Sequence, residues 1–203
     1  MKVIIFGASG RTGQLAVAQA LAAGMEVTAF VRNPQALAAT ANLRIVIGQV
    51  LNYEDVRQAI AGQDAVVSCL GGPGTQVSTV ITEMTGTIVQ AMQAVGVKRI
   101  VQMSSAGIHD ELPGIVGKFV ALMLKNPLRD HRGAFAILAQ SGLEYTVARP
   151  LSLVDGPLTG VYREVETGVP AKARNIARAD VAHFLIKAVQ DETYVGESIG
   201  LAY

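Results

Sequence analysis

The chain has 203 residues, of which 50% are hydrophobic and 16% charged, with 17 basic and 16 acidic side chains. This composition excludes a disordered chain, which needs low hydrophobicity and high net charge, and it predicts one globular domain with a sizeable core. A formal net charge of +1 argues against a dedicated nucleic-acid-binding protein. No signal-peptide pattern and no apolar run of membrane-spanning length are found, so we expect a cytoplasmic protein with neither nucleic acid nor membrane as a partner.

Short apolar runs rich in β-branched residues alternate along the chain with segments of helical spacing, an order typical of parallel strands joined by crossover helices. The predicted strands cover residues 3–6, 26–31, 44–47, 65–70, 99–103 and 145–148. The first predicted helix begins near residue 15 and stops at Gly24. The other predicted helices cover 35–41, 54–61, 77–94 and 130–140. We therefore expect an α/β fold with a doubly wound parallel sheet, a Rossmann fold, in a single domain over residues 1–203.

The rest of the chain is less regular. The tail predicts a strand at 161–166, a helix at 180–189 and a last strand at 198–201. Residues 108–128 contain two prolines and two glycines between apolar runs, and they fit no regular element. Irregular segments of this length are often functional, so we expect a loop or lid there.

The first predicted strand runs into a glycine-rich segment, Gly7-Ala8-Ser9-Gly10-Arg11-Thr12-Gly13, within which a helix begins. In dinucleotide-binding turns the three glycines allow a tight turn, close approach of the backbone to the pyrophosphate, and close packing of helix on sheet. The helix N-terminus attracts the phosphates. The spacing is a variant of the usual fingerprint, and a plain structural turn is the alternative, but its place between strand and helix favours a cofactor site.

The end of the second predicted strand bears on the type of nucleotide. An acidic residue there binds a ribose 2′-hydroxyl, whereas an arginine accommodates a 2′-phosphate. This chain has Arg32 at that position, which favours NADP(H), with Arg11 as a second phosphate contact and Thr12 as a hydroxyl donor. The alternative is that Arg32 is a solvated residue at a strand end.

Further segments carry a family resemblance. Together with the glycine turn, the segments 30–34, 48–51, 64–67, 103–106, 141–146 and 178–182 resemble the atypical short-chain dehydrogenase/reductases of the NAD(P)-binding, NmrA-like kind. The segment 156–162, which reads Gly-Pro-Leu-Thr-Gly-Val-Tyr, is similar to the branch that contains the biliverdin-IXβ and flavin reductases. The resemblance covers essentially the whole chain.

The resemblance implies that NADPH binds across the carboxyl ends of the strands and that hydride passes to a small planar acceptor, a flavin or a linear tetrapyrrole such as biliverdin. It implies a substrate pocket formed by residues 104–130 and 150–175, and we expect a monomer. The expected cofactor contacts are Gly7, Ser9, Gly10, Arg11, Thr12, Gly13, Arg32, Val50, Leu51, Leu70, Gly71, Gly72, Met103, Ser104, Pro150, Leu151 and Ser152.

The chain that follows the fifth predicted strand contains three candidates for catalysis. Ser105 can hydrogen-bond the nicotinamide carboxamide or the substrate, with a turn-capping serine as an equal alternative. Ser104 matches a position beside the nicotinamide. His109 can donate a proton near neutral pH, although a surface loop histidine is the simpler interpretation.

The chain departs from its relatives at two sites. The Tyr-x-x-x-Lys pair of classical short-chain enzymes is replaced by a helix that reads Asp130-His131-Arg132, which argues against an alcohol dehydrogenase or an epimerase. His131 lies near the substrate side by resemblance, or merely at a helix start. Ser152 stands where the reductases often have histidine, which disfavours efficient tetrapyrrole reduction, whereas flavin reduction depends less on an enzyme acid.

Other polar residues have simpler interpretations. Lys125, Arg132 and Arg174 can attract a flavin phosphate or propionates, or be solvated charges. Cys69, the single cysteine, lies in an apolar strand and is interpreted as core. The three histidines lack metal-ligand spacing, so no metal site is expected.

Two classes of function remain open. The first is an NADPH-dependent reductase of a flavin or similar planar acceptor, with quinones or small carbonyl compounds as other acceptors. The second is a non-catalytic sensor in which NADP(H) occupancy alters binding to another protein.

Overall fold

The computed structural model describes residues 1–33, 37 and 40–203. Its strands are β1 (Lys2–Phe6), β2 (Glu26–Val31), β3 (Leu43–Ile47), β4 (Ala65–Ser68), β5 (Arg99–Met103), β6 (Glu144–Pro150), β7 (Ser152–Val154), β8 (Arg163–Val165), β9 (Asn175–Ala177) and β10 (Ser198–Ala202). Its helices are α1 (Arg11–Ala22), α2 (Tyr53–Ile60), α3 (Val80–Val95), α4 (Gly114–Met123), α5 (Lys125–Gln140) and α6 (Arg178–Gln190). Most of the helix predicted at 35–41 lies outside the described residues.

Eight strands form one sheet in the order β3-β2-β1-β4-β5-β6-β10-β8, in which only β8 is antiparallel to its neighbour. The chain order reverses between β1 and β4, because β1 pairs with β2 on one side and with β4 on the other. Ligands of open α/β sheets bind outside the carboxyl ends of the strands at such a reversal. The predicted α/β Rossmann fold with a single domain is confirmed, and the reversal places its crevice beside the glycine turn.

Helices cover both faces of the sheet. Alternate residues of β1 point to opposite faces. Val3 and Ile5 belong to a buried cluster with residues of α1 and α6. Ile4 and Phe6 belong to a second cluster with residues of α2, α3 and α5. This two-sided burial explains why the central strands are apolar throughout and do not alternate with polar residues.

Two helix ends follow directly from local sequence. The side chain of Asn52 accepts a hydrogen bond from the amide of Glu54 at 3.1 Å and so caps the start of α2. Gly24 follows the end of α1 with a φ of +76°, a conformation that glycine adopts without strain. Both predicted helix boundaries are confirmed to within two residues.

The expectation of an irregular segment at 108–128 is wrong. The segment contains α4, and α5 begins at Lys125 and not at residue 130. Pro113 immediately precedes α4 and Pro127 lies in the first turn of α5. At these positions a backbone amide has no intrahelical partner, so proline costs no hydrogen bond. The prolines therefore mark helix starts and not a break.

The tail contains one feature that the sequence pattern missed. β7 and β9 form a separate two-stranded parallel sheet, with Ser152 opposite Asn175. Strands of three residues are too short to show an alternating pattern. The predicted strand at 161–166 is shorter, at Arg163–Val165, and the helix predicted at 180–189 begins two residues earlier. Among the described helices, none has the length and apolarity needed to cross a membrane.

Candidate functional site

The glycine turn connects β1 to α1 and lies against the end of β4. A Cβ atom on Gly7, whose φ is +71°, would lie 2.8 Å from the carbonyl carbon of Cys69. A Cβ atom on Gly13 would lie 2.1 Å from the carbonyl oxygen of Gly7. Both distances are far shorter than a normal contact. The first and third glycines are therefore required by the close packing of the turn on the sheet and of α1 on the turn.

The amino end of α1 is open to an anion. Gly10 precedes the helix and offers no side-chain cap, and the first turn contains no acidic residue. The first intrahelical hydrogen bond joins the amide of Gln14 to the carbonyl of Gly10 at 2.8 Å, so the three preceding amides have no partner within the helix. Helix amides of this kind bind phosphate groups. The turn thus fits the diphosphate of a dinucleotide, although Thr12, the expected hydroxyl donor, is buried.

Arg32 leaves β2 at the same edge of the sheet at which Gly7 leaves β1, because Phe30 and Phe6 are paired. The side chain of Arg32 is exposed. Leu51 is also exposed, whereas Val50 is half-buried and, like Leu70 just after β4, packs against a small buried cluster that includes Ile81. Gly71 and Gly72 follow and are exposed. The residues expected at the adenine and ribose therefore lie at one edge of the sheet.

The remaining expected cofactor contacts lie at the ends of β5 and β6. Met103 is half-buried at the end of β5, opposite Ala148. Pro150 is buried, Leu151 half-buried, and Ser152 exposed at the start of β7. The carbonyl of Ser9 accepts a hydrogen bond from the side chain of Gln14 at 2.9 Å. The contacts that these expected residues make with a nucleotide remain predictions.

Ser104 and His131 form a pair at the end of β5. Ser104 is 7% exposed, and its amide donates to the carbonyl of Ala148 at 2.8 Å. Its Oγ lies 3.3 Å from Nδ1 of His131 on α5. Burial lowers the pKa of His131 below 6.5, so the imidazole is mainly neutral at pH 7, and its tautomer decides which atom donates. Sequence reasoning considered both residues but contained no signal that they meet.

The position of His131 is held by the preceding residue. The buried Asp130 carboxylate accepts hydrogen bonds from the amides of Ile81 at 3.1 Å and Thr82 at 2.8 Å, at the start of α3. The hydroxyl of Thr82 donates to the same carboxylate. Asp130 therefore fixes α5 against the start of α3. Sequence reasoning missed this role, because a cap supplied from another helix leaves no local pattern.

Ser105 and His109 have other partners. Ser105 Oγ donates to the carbonyl of Ala106 at 3.1 Å, within the turn after β5. The Nε2 atom of His109 lies 3.1 Å from Oγ of Ser198, and its ring packs edge-on against Phe135. Burial and the neighbouring charge of Arg149 lower the pKa of His109. The structure does not bring His109 to the Ser104–His131 pair, and the catalytic roles of Ser105 and His109 stay predictions.

Two arginines hold the loop that carries His109. The Arg149 side chain is 1% exposed and pairs with Glu111, while it also donates to the carbonyl of Gly168. Arg132 donates to the carbonyl of Ile108 at 2.9 Å and pairs with Asp110. Arg132, considered above as an attractor for an anionic acceptor, is thus engaged by its own loop.

Cys69 is a core residue, as expected. It is 7% exposed, and burial raises the pKa of its thiol to about 12. The thiol is therefore protonated at neutral pH and is not a nucleophile there.

Comparison with protein families gives one match that spans most of the chain. A family model described as NAD(P)H-binding matches residues 7–192. The match begins at the first glycine of the turn and ends just beyond α6, so it includes the glycine turn, the strand ends and the Ser104–His131 pair.

Two relatives differ in how much of their length is matched. A 3-beta-hydroxysteroid dehydrogenase from Mycolicibacterium neoaurum is 34% identical over 119 residues, which cover 53% of this chain and 32% of that protein. The chain thus matches only about a third of this relative's length. An uncharacterized chloroplastic protein from Arabidopsis thaliana is 30% identical over 205 residues, covering 94% of this chain and 72% of the relative.

Solved structures share the fold over the whole chain. A Rossmann-fold NAD(P)-binding family protein from Shigella flexneri has 29% identity and a TM-score of 0.79, covering 98% of this chain and 92% of that one. A short-chain dehydrogenase/reductase from Veillonella parvula, solved in complex with NADP, has 22% identity and a TM-score of 0.85, covering 100% and 94%. ChuY, an anaerobilin reductase from Escherichia coli O157:H7, has 21% identity and a TM-score of 0.84, covering 100% and 97%.

Proposed function

We propose that this chain, which belongs to the NAD(P)H-binding family of Rossmann-fold oxidoreductase-like proteins, is an NADPH-dependent reductase of a small planar acceptor. The acceptor class is a flavin such as FMN or a linear tetrapyrrole. The observation that carries the proposal is the Ser104–His131 pair, because it sets a hydroxyl and a titratable imidazole at the strand ends beside the cofactor crevice. A non-catalytic sensor of NADP(H) does not require a hydroxyl and an imidazole at this position.

The glycine turn and Arg32 bind different parts of the dinucleotide. The free amides at the start of α1 bind the diphosphate, and the exposed guanidinium of Arg32 pairs with a 2′-phosphate, which favours NADPH over NADH. A planar guanidinium makes two parallel hydrogen bonds to such a group. Leu51, exposed beside this edge, offers an apolar surface to the adenine.

When bound, NADPH supplies the hydride from C4 of its nicotinamide. Ser104 donates its hydroxyl proton to the acceptor, and the protonated form of His131 replaces that proton on Ser104 Oγ across the 3.3 Å contact, leaving a neutral imidazole. Asp130 keeps His131 in place through its hydrogen bonds to α3. A tetrapyrrole needs this proton from the protein more than a flavin does, because solvent can supply it to a flavin.

The acceptor pocket lies, in this proposal, between the segments 104–130 and 150–175, and its lining does not include the solvent-exposed side chains of α4. The shared fold with an anaerobilin reductase supports a tetrapyrrole among the acceptors. The low aromatic content, 5% of the chain, leaves few rings to stack on a planar molecule, so we expect broad acceptor tolerance. Quinones are therefore further candidate acceptors.

Steady-state oxidation of NADPH, followed by its absorbance, tests the proposal with FMN, FAD, riboflavin, biliverdin and menadione as separate acceptors. We expect turnover with FMN and biliverdin above the rate without acceptor. His131→Gln should lower kcat for biliverdin at least tenfold while leaving the Kd for NADPH unchanged. His109→Gln is the matched control, since His109 is a histidine of the same region with a lowered pKa but no contact with Ser104.

Tight NADPH binding with no turnover on any acceptor would overturn the reductase proposal and favour the non-catalytic sensor. A loss of activity in His109→Gln with full activity in His131→Gln would move the proton-donating role to His109.

A further inference from the structure

Helix α4 contacts the rest of the protein through its small side. A Cβ atom on Gly117 would lie 2.6 Å from the backbone of Leu112, so this side of α4 packs closely on the segment that leads into the helix. Ala121 and the following Leu124 pack against the second core cluster. No residue of α4 is buried. The helix is therefore attached by a narrow contact and stands out from the domain.

The large apolar side chains of α4 point into solvent. At 100° per residue they occupy one arc of about 160°, opposite Gly117 and Ala121. Most helices of globular proteins bury such an arc. The side chains and their exposed fractions are Ile115 88%, Val116 75%, Phe119 61%, Val120 38%, Leu122 64% and Met123 63%.

The exposed arc is larger than a monomer normally tolerates. Side chains of this size, exposed to this degree, present on the order of 700 Å² of apolar surface, above the roughly 300–600 Å² of the largest patch on a typical monomer. A convex helix face cannot enclose a small ligand, since small-molecule sites are concave. A convex apolar face of this kind instead suits contact with a lipid membrane or with another protein.

The charge around α4 has one sign. From Leu112 to Arg129 the chain has no acidic residue and three basic ones, all exposed: Lys118, Lys125 and Arg129. The nearest acidic residues on either side have partners within the protein: Asp110 pairs with Arg132, Glu111 with Arg149, and Asp130 with the start of α3. None of the ion pairs between described residues includes these three basic side chains. Lys118 thus lies on α4 beside the apolar arc, and Lys125 and Arg129 follow on α5, so the exposed charges of this stretch are positive.

We infer that the α4 face, defined by the six apolar side chains above with Lys118, Lys125 and Arg129, binds the surface of a membrane that contains anionic lipids. The apolar arc enters the boundary between headgroups and acyl chains, and the basic side chains pair with anionic headgroups. A helix of ten residues, about 15 Å long, lies flat in this layer. The inference departs from the expectation of no membrane partner, because composition cannot show that a helix turns its apolar side outward.

A second copy of the chain is the competing occupant, and charge disfavours it. Packing two α4 faces together brings up to six basic side chains to one interface without a single carboxylate from the segment between Leu112 and Arg129. Like charges across an interface cost binding free energy. An anionic lipid surface removes this repulsion and turns the same charges into an attraction.

Co-sedimentation with vesicles tests the inference on the full chain. Wild type is mixed with vesicles of phosphatidylcholine alone or of equal parts phosphatidylcholine and phosphatidylglycerol. We expect binding to the mixed vesicles that is at least tenfold stronger than to phosphatidylcholine and that weakens as salt is added. Phe119→Gln with Leu122→Gln should lower binding to the mixed vesicles at least tenfold.

The matched control replaces two exposed apolar residues elsewhere, Ile47→Gln with Val77→Gln, and should bind as wild type does. Circular dichroism and NADPH affinity of both double variants check that the fold is retained. Equal binding to both vesicle types, or no binding, overturns the inference. A wild-type dimer in sedimentation equilibrium that dissociates on Phe119→Gln with Leu122→Gln assigns the face to a second copy and also overturns it.

Discussion

Arg11 and Asp155 form an ion pair that joins the glycine turn to the segment after β7: Nη1 of Arg11 lies 3.2 Å from Oδ2 of the carboxylate. The other oxygen of Asp155 accepts from Arg178 at 2.7 Å. Arg11 begins α1, where a phosphate is expected to bind, so Asp155 competes with that phosphate for the same guanidinium. Both side chains are about 70% exposed, so the competition is weak.

Asp155→Asn should therefore strengthen NADPH binding, by about two- to fivefold at low salt, as expected for loss of one exposed ion pair. The gain should shrink as salt screens the charges. Titration calorimetry at two salt concentrations measures it. Glu26→Gln makes the same change of charge at the opposite edge of the sheet and should leave the Kd unchanged. An equal gain in both variants would mean that net charge, and not the Arg11 pair, is responsible.

Arg32→Ala should reduce the preference for NADPH over NADH by at least tenfold in kcat/KM, because the 2′-phosphate loses a charged hydrogen-bond donor. The loss should appear mainly in KM for NADPH, with KM for NADH nearly unchanged. Arg44→Ala, which removes an exposed arginine from β3, is the control. An unchanged cofactor preference in Arg32→Ala contradicts the assignment of the 2′-phosphate site.

The pH profile for biliverdin reduction should report His131. Burial lowers its pKa below the ordinary 6.5, so the protonated fraction of the ring grows as pH falls toward that lower value. We expect kcat for biliverdin to rise as the pH is lowered from 8, with an inflection on the acid side of 6.5. The inflection should vanish in His131→Gln and persist in His109→Gln. With FMN as acceptor the profile should be flat in all three proteins.

Asp180 should make the fold sensitive to acid. Burial alone raises the pKa of this carboxylate, but hydrogen bonds from Tyr203, Gly160 and Thr159 outweigh it and hold the pKa below 3.8. A group whose pKa is lower in the folded state stabilises the fold above its unfolded pKa, and this contribution is lost as the pH falls through the folded value. The free energy of unfolding should therefore decrease below about pH 4.

Urea unfolding of wild type and Asp180→Asn at pH 7 and pH 3 measures this contribution. The difference in unfolding free energy between the two proteins should be larger at pH 7. A difference that does not change with pH would show that Asp180 acts through its shape and not through its charge.

The sequence by itself determined what depends on neighbours along the chain. Runs of buried strand residues, the cap at Asn52 and the glycine turn are local patterns, and they predicted the Rossmann fold and the place of the cofactor crevice. The prediction from local sequence was wrong at residues 108–128, because Pro113 and Pro127 are compatible both with a loop and with the start of a helix.

Only the tertiary structure decided which distant side chains meet. Ser104 and His131 are 27 residues apart, and Arg11 and Asp155 are 144 residues apart. Their contacts arise from packing of separate elements, which leaves no periodic signal in the sequence. The same holds for α4, whose apolar spacing predicts an arc but not its direction. The contact of Ala121 and the following Leu124 with the second core cluster leaves the large apolar side chains on the outward side of α4.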